Sequence, residues 1–354
     1  MFDTFKNRIL LFQGGGALGA YQAGAYEGMV ALGIDPDWIV GISIGSINSA
    51  LVAGNPKEKR VERLREFWDR VSSDLPLPLP GWLDSFQPMA KRMSAGTVAA
   101  FGIPGFFIPR FPPTEFLPDG APDAISFYDT SPLLQTLTEL VDFDRINRRE
   151  MRLALGAVNV KTGGSVYFDN HHTHIGPEHV LASGALPPGF PAVEIEGEFY
   201  WDGGVVTNSP LWYVADAAAP LSNAFIVQVD NFPSKGVLPR NLDQVMERAK
   251  DIQYSSKTRF NADRLLELGS VFASMAKVLD KLPAELKDDP EVRKLIPFCS
   301  PRNVTLAHLI NRHPATIATS KDCDFARASV AEAWDAGRAD VLESFGHMES
   351  MKPA

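Results

Sequence analysis

A chain of 354 residues can bury a large core, and 45% hydrophobic with 22% charged content is ordinary for a water-soluble globular protein. The net charge of -9 argues against nonspecific nucleic-acid binding, which depends on clustered Lys and Arg. Cys299 and Cys323 read as ordinary thiols of a reducing compartment. The apolar run Ile9 to Phe12 is too short for a signal-peptide core, and no run approaches a membrane-spanning length. The expected location is the cytoplasm.

Arg8 to Gln13 is a short apolar run that stops at three glycines and predicts a buried strand. A helix from about Leu18 to Leu32 follows, with Gly33 just past its end. Asp37 to Ile42 predicts a second buried strand, and Ile44 to Ala53 a helix ending near Gly54. Two strands joined by a helix imply a parallel, right-handed βαβ unit. Val61, Leu64, Phe67, Trp68 and Val71 share one face of an amphipathic helix over Lys57 to Val71. Residues 75 to 122 are rich in Pro, Gly and Phe without periodicity, as in an inserted cap. Pro132 opens a further helix capped by Ser131. Strands are expected over 152–160, 164–169, 198–201 and 224–230. From Leu242 onward the pattern is helical. Leu265, Leu268, Phe272, Met275, Leu279 and Leu282 share a face, and Val330, Trp334, Val341 and Phe345 mark a last helix. The division is an α/β core over about 6–235, a cap within it near 75–122, and a mostly helical region over 236–354.

Gly41-Ile-Ser43-Ile-Gly45 matches G-x-S-x-G where a predicted strand turns into a predicted helix, which is the context this motif requires. A sharp turn strains the Ser backbone and needs neighbours without side chains. It lifts the hydroxyl off the sheet edge, and the following helix aims its first amides at developing negative charge. The bland alternative is a tight turn with Ser as a helix cap. Gly14-Gly-Gly-Ala-Leu-Gly19 ends the first strand, and its N–H groups can form an oxyanion hole. The same residues satisfy G-x-G-x-x-G, so dinucleotide binding is a second reading. That reading needs an acid at the end of the second strand. Asp35 and Asp37 precede the strand, and the Ser43 turn occupies its end.

A serine nucleophile needs a base. His171, His172 and His174 lie in a polar loop without metal-ligand spacing, and His179 belongs to a helix start. His308, His313 and His347 fall in the helical C-terminal part, and each fits a Ser…Asp…His order. The better candidate is Asp202, in Phe199-Tyr-Trp-Asp-Gly-Gly204, whose two glycines let the backbone approach the serine loop. An ordinary Asp-Gly turn is the alternative.

Three ordered elements, Gly14 to Gly19, Gly41 to Gly45 and Asp202-Gly203-Gly204, together resemble the patatin-like phospholipase family. Ala182 to Pro191 and Asn208-Ser-Pro210 also resemble it, and the likeness covers roughly residues 6 to 232 apart from the insert. The resemblance implies a three-layer α/β/α fold and calcium-independent hydrolysis of fatty acyl esters. It implies Ser43 as nucleophile, Asp202 as base, and Gly14, Gly15 and Gly16 as oxyanion amides, with no cofactor and no metal. Gly41, Gly45, Gly203 and Gly204 support the turns. Where many members carry Arg or Lys in the glycine-rich loop, this chain has Ala17-Leu18.

The expected function is hydrolysis of lipid acyl esters, phospholipid or lysophospholipid above all. Acyl transfer to another acceptor, a Ser-His-Asp esterase and a non-catalytic lipid-binding scaffold are the alternatives. Phe101, Phe106, Phe107, Phe111 and Phe116 cluster in the irregular insert. Such aromatics pack as a cap on the core, or line the acyl-chain entrance and touch a membrane surface peripherally.

Overall fold

The computed structural model describes residues 5–73, 96–98, 100–217, 223–296, 304–312 and 321–349. Part of the expected cap, together with Cys299 and His313, lies outside the described residues. One eight-stranded sheet organises the chain, in the order β10-β9-β1-β2-β5-β8-β7 with β6 also paired to β5. Its strands are β1 (Asn7–Phe12), β2 (Trp38–Ile42), β5 (Arg152–Asn159), β6 (Ser165–Asp169), β7 (Val193–Ile195), β8 (Glu198–Asp202), β9 (Ala224–Asp230) and β10 (Val304–Ile310). The two-residue strands β3 (Ile108–Pro109) and β4 (Tyr128–Asp129) form a separate ribbon. From β10 through β5 the large sheet is parallel, and β6, β7 and β8 run antiparallel to their neighbours.

Alternation along β1 separates two cores, as the two-residue period of a strand requires. Leu10 and Phe12 face a large core shared with α1 (Gly19–Ala31), α2 (Ile44–Ala53) and α3 (Arg60–Arg70). Ile9 and Leu11 face a smaller one closed by Leu211 and Val214 of the helix Leu211–Ala217. Helices on both faces of the sheet make the three-layer α/β/α arrangement.

The region after residue 235 is mostly helical, but it is woven into this core. The helical reading of its middle part is corrected by β10, which extends the sheet parallel to β9 and places His308 in a strand. The last helix, Arg327–Glu349, packs on α1 so closely that a Cβ on Gly24 would stand 1.9 Å from the Trp334 carbonyl oxygen. Val330, Trp334, Val341 and Phe345 are buried there, as their spacing predicts. Leu268, Phe272, Met275 and Leu279 are only half-buried on the helix Leu242–Asp280. Two smaller corrections concern helix starts. Ser131 is the first residue of its helix and not the cap, because its amide and hydroxyl are bound to Asp129. The segment 57–59 is a 3-10 turn ahead of α3.

Candidate active site

Backbone register brings Ser43 and Asp202 together. On β5, Gly156 pairs with Ile42 of β2 and with Tyr167 of β6, and the next residue, Ala157, pairs with Val166 of β6 and with Asp202 of β8. Since β6 occupies one edge of β5, β2 and β8 share the other. The last residue of β2 and the last residue of β8 therefore stand side by side, and Ser43 follows directly. Gly203 completes the junction, since a Cβ there would lie 2.8 Å from the Gly156 carbonyl and 3.1 Å from Ile42.

Ser43 adopts φ 59° and ψ -128°, a strained left-handed conformation for a residue with a side chain. The strain is held by surroundings without room for adjustment. Its amide donates to the Ser183 carbonyl at 3.1 Å and to the Ser183 hydroxyl at 3.2 Å, and that hydroxyl bonds the Gly156 carbonyl. A Cβ on Gly41 would meet the Gly45 carbonyl at 2.3 Å, and one on Gly45 the Phe12 carbonyl at 2.5 Å. Helix α2 starts at Ile44 and directs its first turn at the same spot.

Asp202 is 1% exposed. Burial pushes its carboxyl up to about 7, while the Ser43 hydroxyl and the Gly204 amide pull the other way. That amide donates to Oδ1 at 2.7 Å. Ser43 is thus near enough to act on the carboxyl, yet buried Oδ2 has no hydrogen bond of ordinary geometry. The two groups are adjacent without being clamped. A carboxyl near neutrality with an open lone pair beside a strained hydroxyl can accept its proton.

Both groups line a cavity of about 340 Å³ with Gly15 and Gly16. Gly14 sits behind them, and its carbonyl accepts from the Nδ2 atoms of Asn208 and Asn231, each at 3.3 Å. With that carbonyl held back, the amides of Gly15 and Gly16 have no acceptor among the described residues. Gly16, at φ 54°, also leaves 2.2 Å between a built Cβ and the Asp322 carbonyl, so a side chain there would displace the 3-10 turn Lys321–Cys323.

The insert divides. Phe106 and Phe107 are buried and line the cavity, packed on Phe190 and Tyr128. Phe101, Phe111 and Phe116 are 77%, 95% and 80% exposed. Ile108, Ile125 and Phe127 are exposed as well, and the Phe127 and Tyr128 amides donate to the Pro188 and Gly189 carbonyls at the cavity rim.

No described histidine lines the cavity. His308 on β10 stands three strands from β2, roughly 14 Å at the usual strand spacing. His179 is buried on Phe168, and its Nδ1 accepts from the Gly176 amide. No group of three or more His, Cys, Asp or Glu among the described residues is arranged to hold a metal ion. No described helix is long and apolar enough to cross a membrane.

Several residues that build the site have no signature of their own in the sequence. Ser183 lies in the stretch leading to Asp202, but its grip on Ser43 depends on two strands meeting. Gln13 directly follows β1 and accepts from the amides of Asn231 and Phe232. Tyr254, Asp322, Cys323 and Phe325 line the cavity from the C-terminal region.

A model of patatin-like phospholipases matches residues 10–215, more than half of the chain, and a second model, of patatin phospholipases, matches 252–354. No curated protein matches at a significant level. Among solved structures, VipD from Legionella pneumophila is 12% identical, with 97% of this chain and 67% of that one aligned at a TM-score of 0.39. The chain belongs to the patatin-like phospholipase family and is a lipid acyl hydrolase acting on carboxylic ester bonds.

Proposed function

We propose that the protein cleaves fatty acyl esters of phospholipid or lysophospholipid through a Ser43–Asp202 dyad and an acyl-enzyme. The observation that carries this reading is the strained Ser43 beside the buried, unbonded Oδ2 of Asp202 in one cavity. Asp202 takes the hydroxyl proton as Ser43 Oγ attacks the ester carbonyl carbon. The oxyanion is received by the amides of Gly15 and Gly16, with Gly14 holding the loop's shape. Collapse breaks the bond to the alcohol, which leaves with the proton from Asp202. Water then attacks the acyl-enzyme, gives its proton to Asp202, and releases the fatty acid as Ser43 regains its hydrogen.

Residues 6–235 supply this chemistry, and 236–354 supply one wall of the pocket. The apolar lining removes the acyl chain from water at roughly 0.8 kcal/mol per buried CH₂. The exposed Phe101, Phe111 and Phe116 suit peripheral contact with a lipid surface. A histidine-based triad has less support, since no described histidine lines the cavity.

A serine-directed fluorophosphonate, followed by mass mapping, tests the reading. Labelling at Ser43 alone, absent from Ser43→Ala, is the expected result, and labelling that persists in this variant sinks the assignment. Product masses from a panel of phospholipids and lysophospholipids then fix the substrate.

A further inference from the structure

In acylation the departing alkoxide of a glycerol ester is a far stronger base than the Asp202 carboxylate that supplies its proton. A hydrogen-bond donor beside that oxygen is worth most in the transition state, where its charge develops. Glycine amides serve the carbonyl oxygen, leaving the alcohol side of the cavity in need of a donor.

Tyr254 meets the geometric requirements. It lies on the helix Leu242–Asp280 and lines the same cavity as Ser43 and Asp202. Its carbonyl accepts from Gln13 Nε2 at 3.0 Å, so the residue preceding Gly14 fixes the turn of helix that carries it. The ring packs on Phe232 with centroids 5.0 Å apart. Among the described residues the hydroxyl has no hydrogen-bond partner. Burial, and after it the carboxylates of Asp322 and Asp202, hold the phenol above its ordinary value. It therefore keeps its proton at neutral pH and lies within electrostatic reach of the dyad.

We infer that Tyr254 donates a hydrogen bond to the leaving oxygen of the bound ester, a substrate-touching role supplied by the C-terminal region. The inference rests on the Ser43–Asp202 reading. The proton that travels is the one Asp202 takes from Ser43 and returns to the alcohol as the acyl carbon–oxygen bond breaks. The Tyr254 proton is shared with the leaving oxygen and stays on the phenol, so nothing is transferred through it.

The test uses the full chain and esters of one fatty acid with alcohols of increasing basicity, from nitrophenol through trifluoroethanol to glycerol. Nitrophenolate needs little help in leaving, and a glycerol alkoxide needs the most. For Tyr254→Phe, kcat/KM, which reports acylation, should fall roughly 10- to 100-fold on the glycerol ester. On the nitrophenyl ester it should change by less than about 3-fold. Fluorophosphonate labelling of Ser43 should keep its wild-type rate, which also shows that the variant is folded. A loss of equal size across the series, or no loss on the glycerol ester, overturns the role of Tyr254 alone. Labelling that survives in Ser43→Ala overturns the dyad, and the leaving-group role falls with it.

Discussion

Two walls of the cavity are built on different principles, beside a third from residues 98–133 and Leu181. One wall, from residues 15–16, 43–47 and 184–208, is a backbone construction. Glycines admit carbonyls to distances no side chain tolerates, Ser43 is held at a positive φ, and β5 aligns the ends of β2 and β8. The other wall, from residues 232–325, is made of side chains. Phe325 packs on Trp68 and Phe106, and Lys250 holds Asp322 through bonds of 2.8 and 3.0 Å. Lys321 is paired with Glu247 and Asp251. Backbone geometry is all-or-none, so the first wall suits chemistry that fails when displaced by an ångström. Side-chain packing is graded, so the second wall suits selection among substrates.

Substitutions on the two walls should differ accordingly. Ser43→Ala should reduce hydrolysis by at least about 10⁴-fold with little change in melting temperature, since it removes the proposed nucleophile and almost no packing. Asp202→Asn should cost about 10³-fold and abolish the limb of the wild-type pH–rate profile that rises with pH through about 7. Its stability should move the other way. A carboxyl raised to about 7 in the fold, against about 4 when unfolded, makes the folded state the tighter proton binder between those values. Wild-type stability therefore falls as pH rises across that window. The asparagine variant escapes the loss and should melt higher than wild type above pH 7. Asp230, also buried and raised to about 7, contributes equally to both proteins and cancels. A melting temperature lower than wild type at pH 8 would count against the ionised, buried base.

On the second wall, Phe325→Ala should cost about 3–5 kcal/mol in denaturant unfolding, as for other buried phenylalanines. Activity on a short ester should fall less than it does in Asp202→Asn at a temperature where both are folded. Phe106→Ser with Phe107→Ser carries two expected effects, lower stability and poorer turnover of long chains, because both rings are core and lining at once. Phe111→Ser with Phe116→Ser isolates the surface contribution. Binding to phospholipid vesicles should weaken by about ten-fold, while the melting temperature and hydrolysis of a water-soluble ester stay unchanged. Equal vesicle binding would remove these rings from any membrane contact. The smallest effect is expected from Lys250→Met. Its half-exposed ion pair is worth about 1 kcal/mol or less, read as a shift in the unfolding midpoint.

What could be read from the residues alone was local. The Ser43 turn, helix α2, the hairpin of β5 and β6, strand β9 and the burial pattern of the last helix each rest on signals within about ten residues, where periodicity, glycine and capping act directly. The order of three short motifs was enough to bring Ser43 and Asp202 forward as a pair. Only the assembled sheet decided how they meet, because β2 and β8 share an edge of β5 through pairings far apart in the chain. Val304 to Ile310 is a short apolar run with Val, Thr and Ile, a strand signal that a helical reading of its surroundings passes over, and only its ladder with β9 decides between the two. The five phenylalanines of the insert look alike in sequence, and neighbours such as Phe190, from elsewhere in the chain, divide them into lining and surface. Tyr254 comes to the cavity the same way, because its place is fixed by Gln13 and Phe232 and not by any residue beside it in the helix.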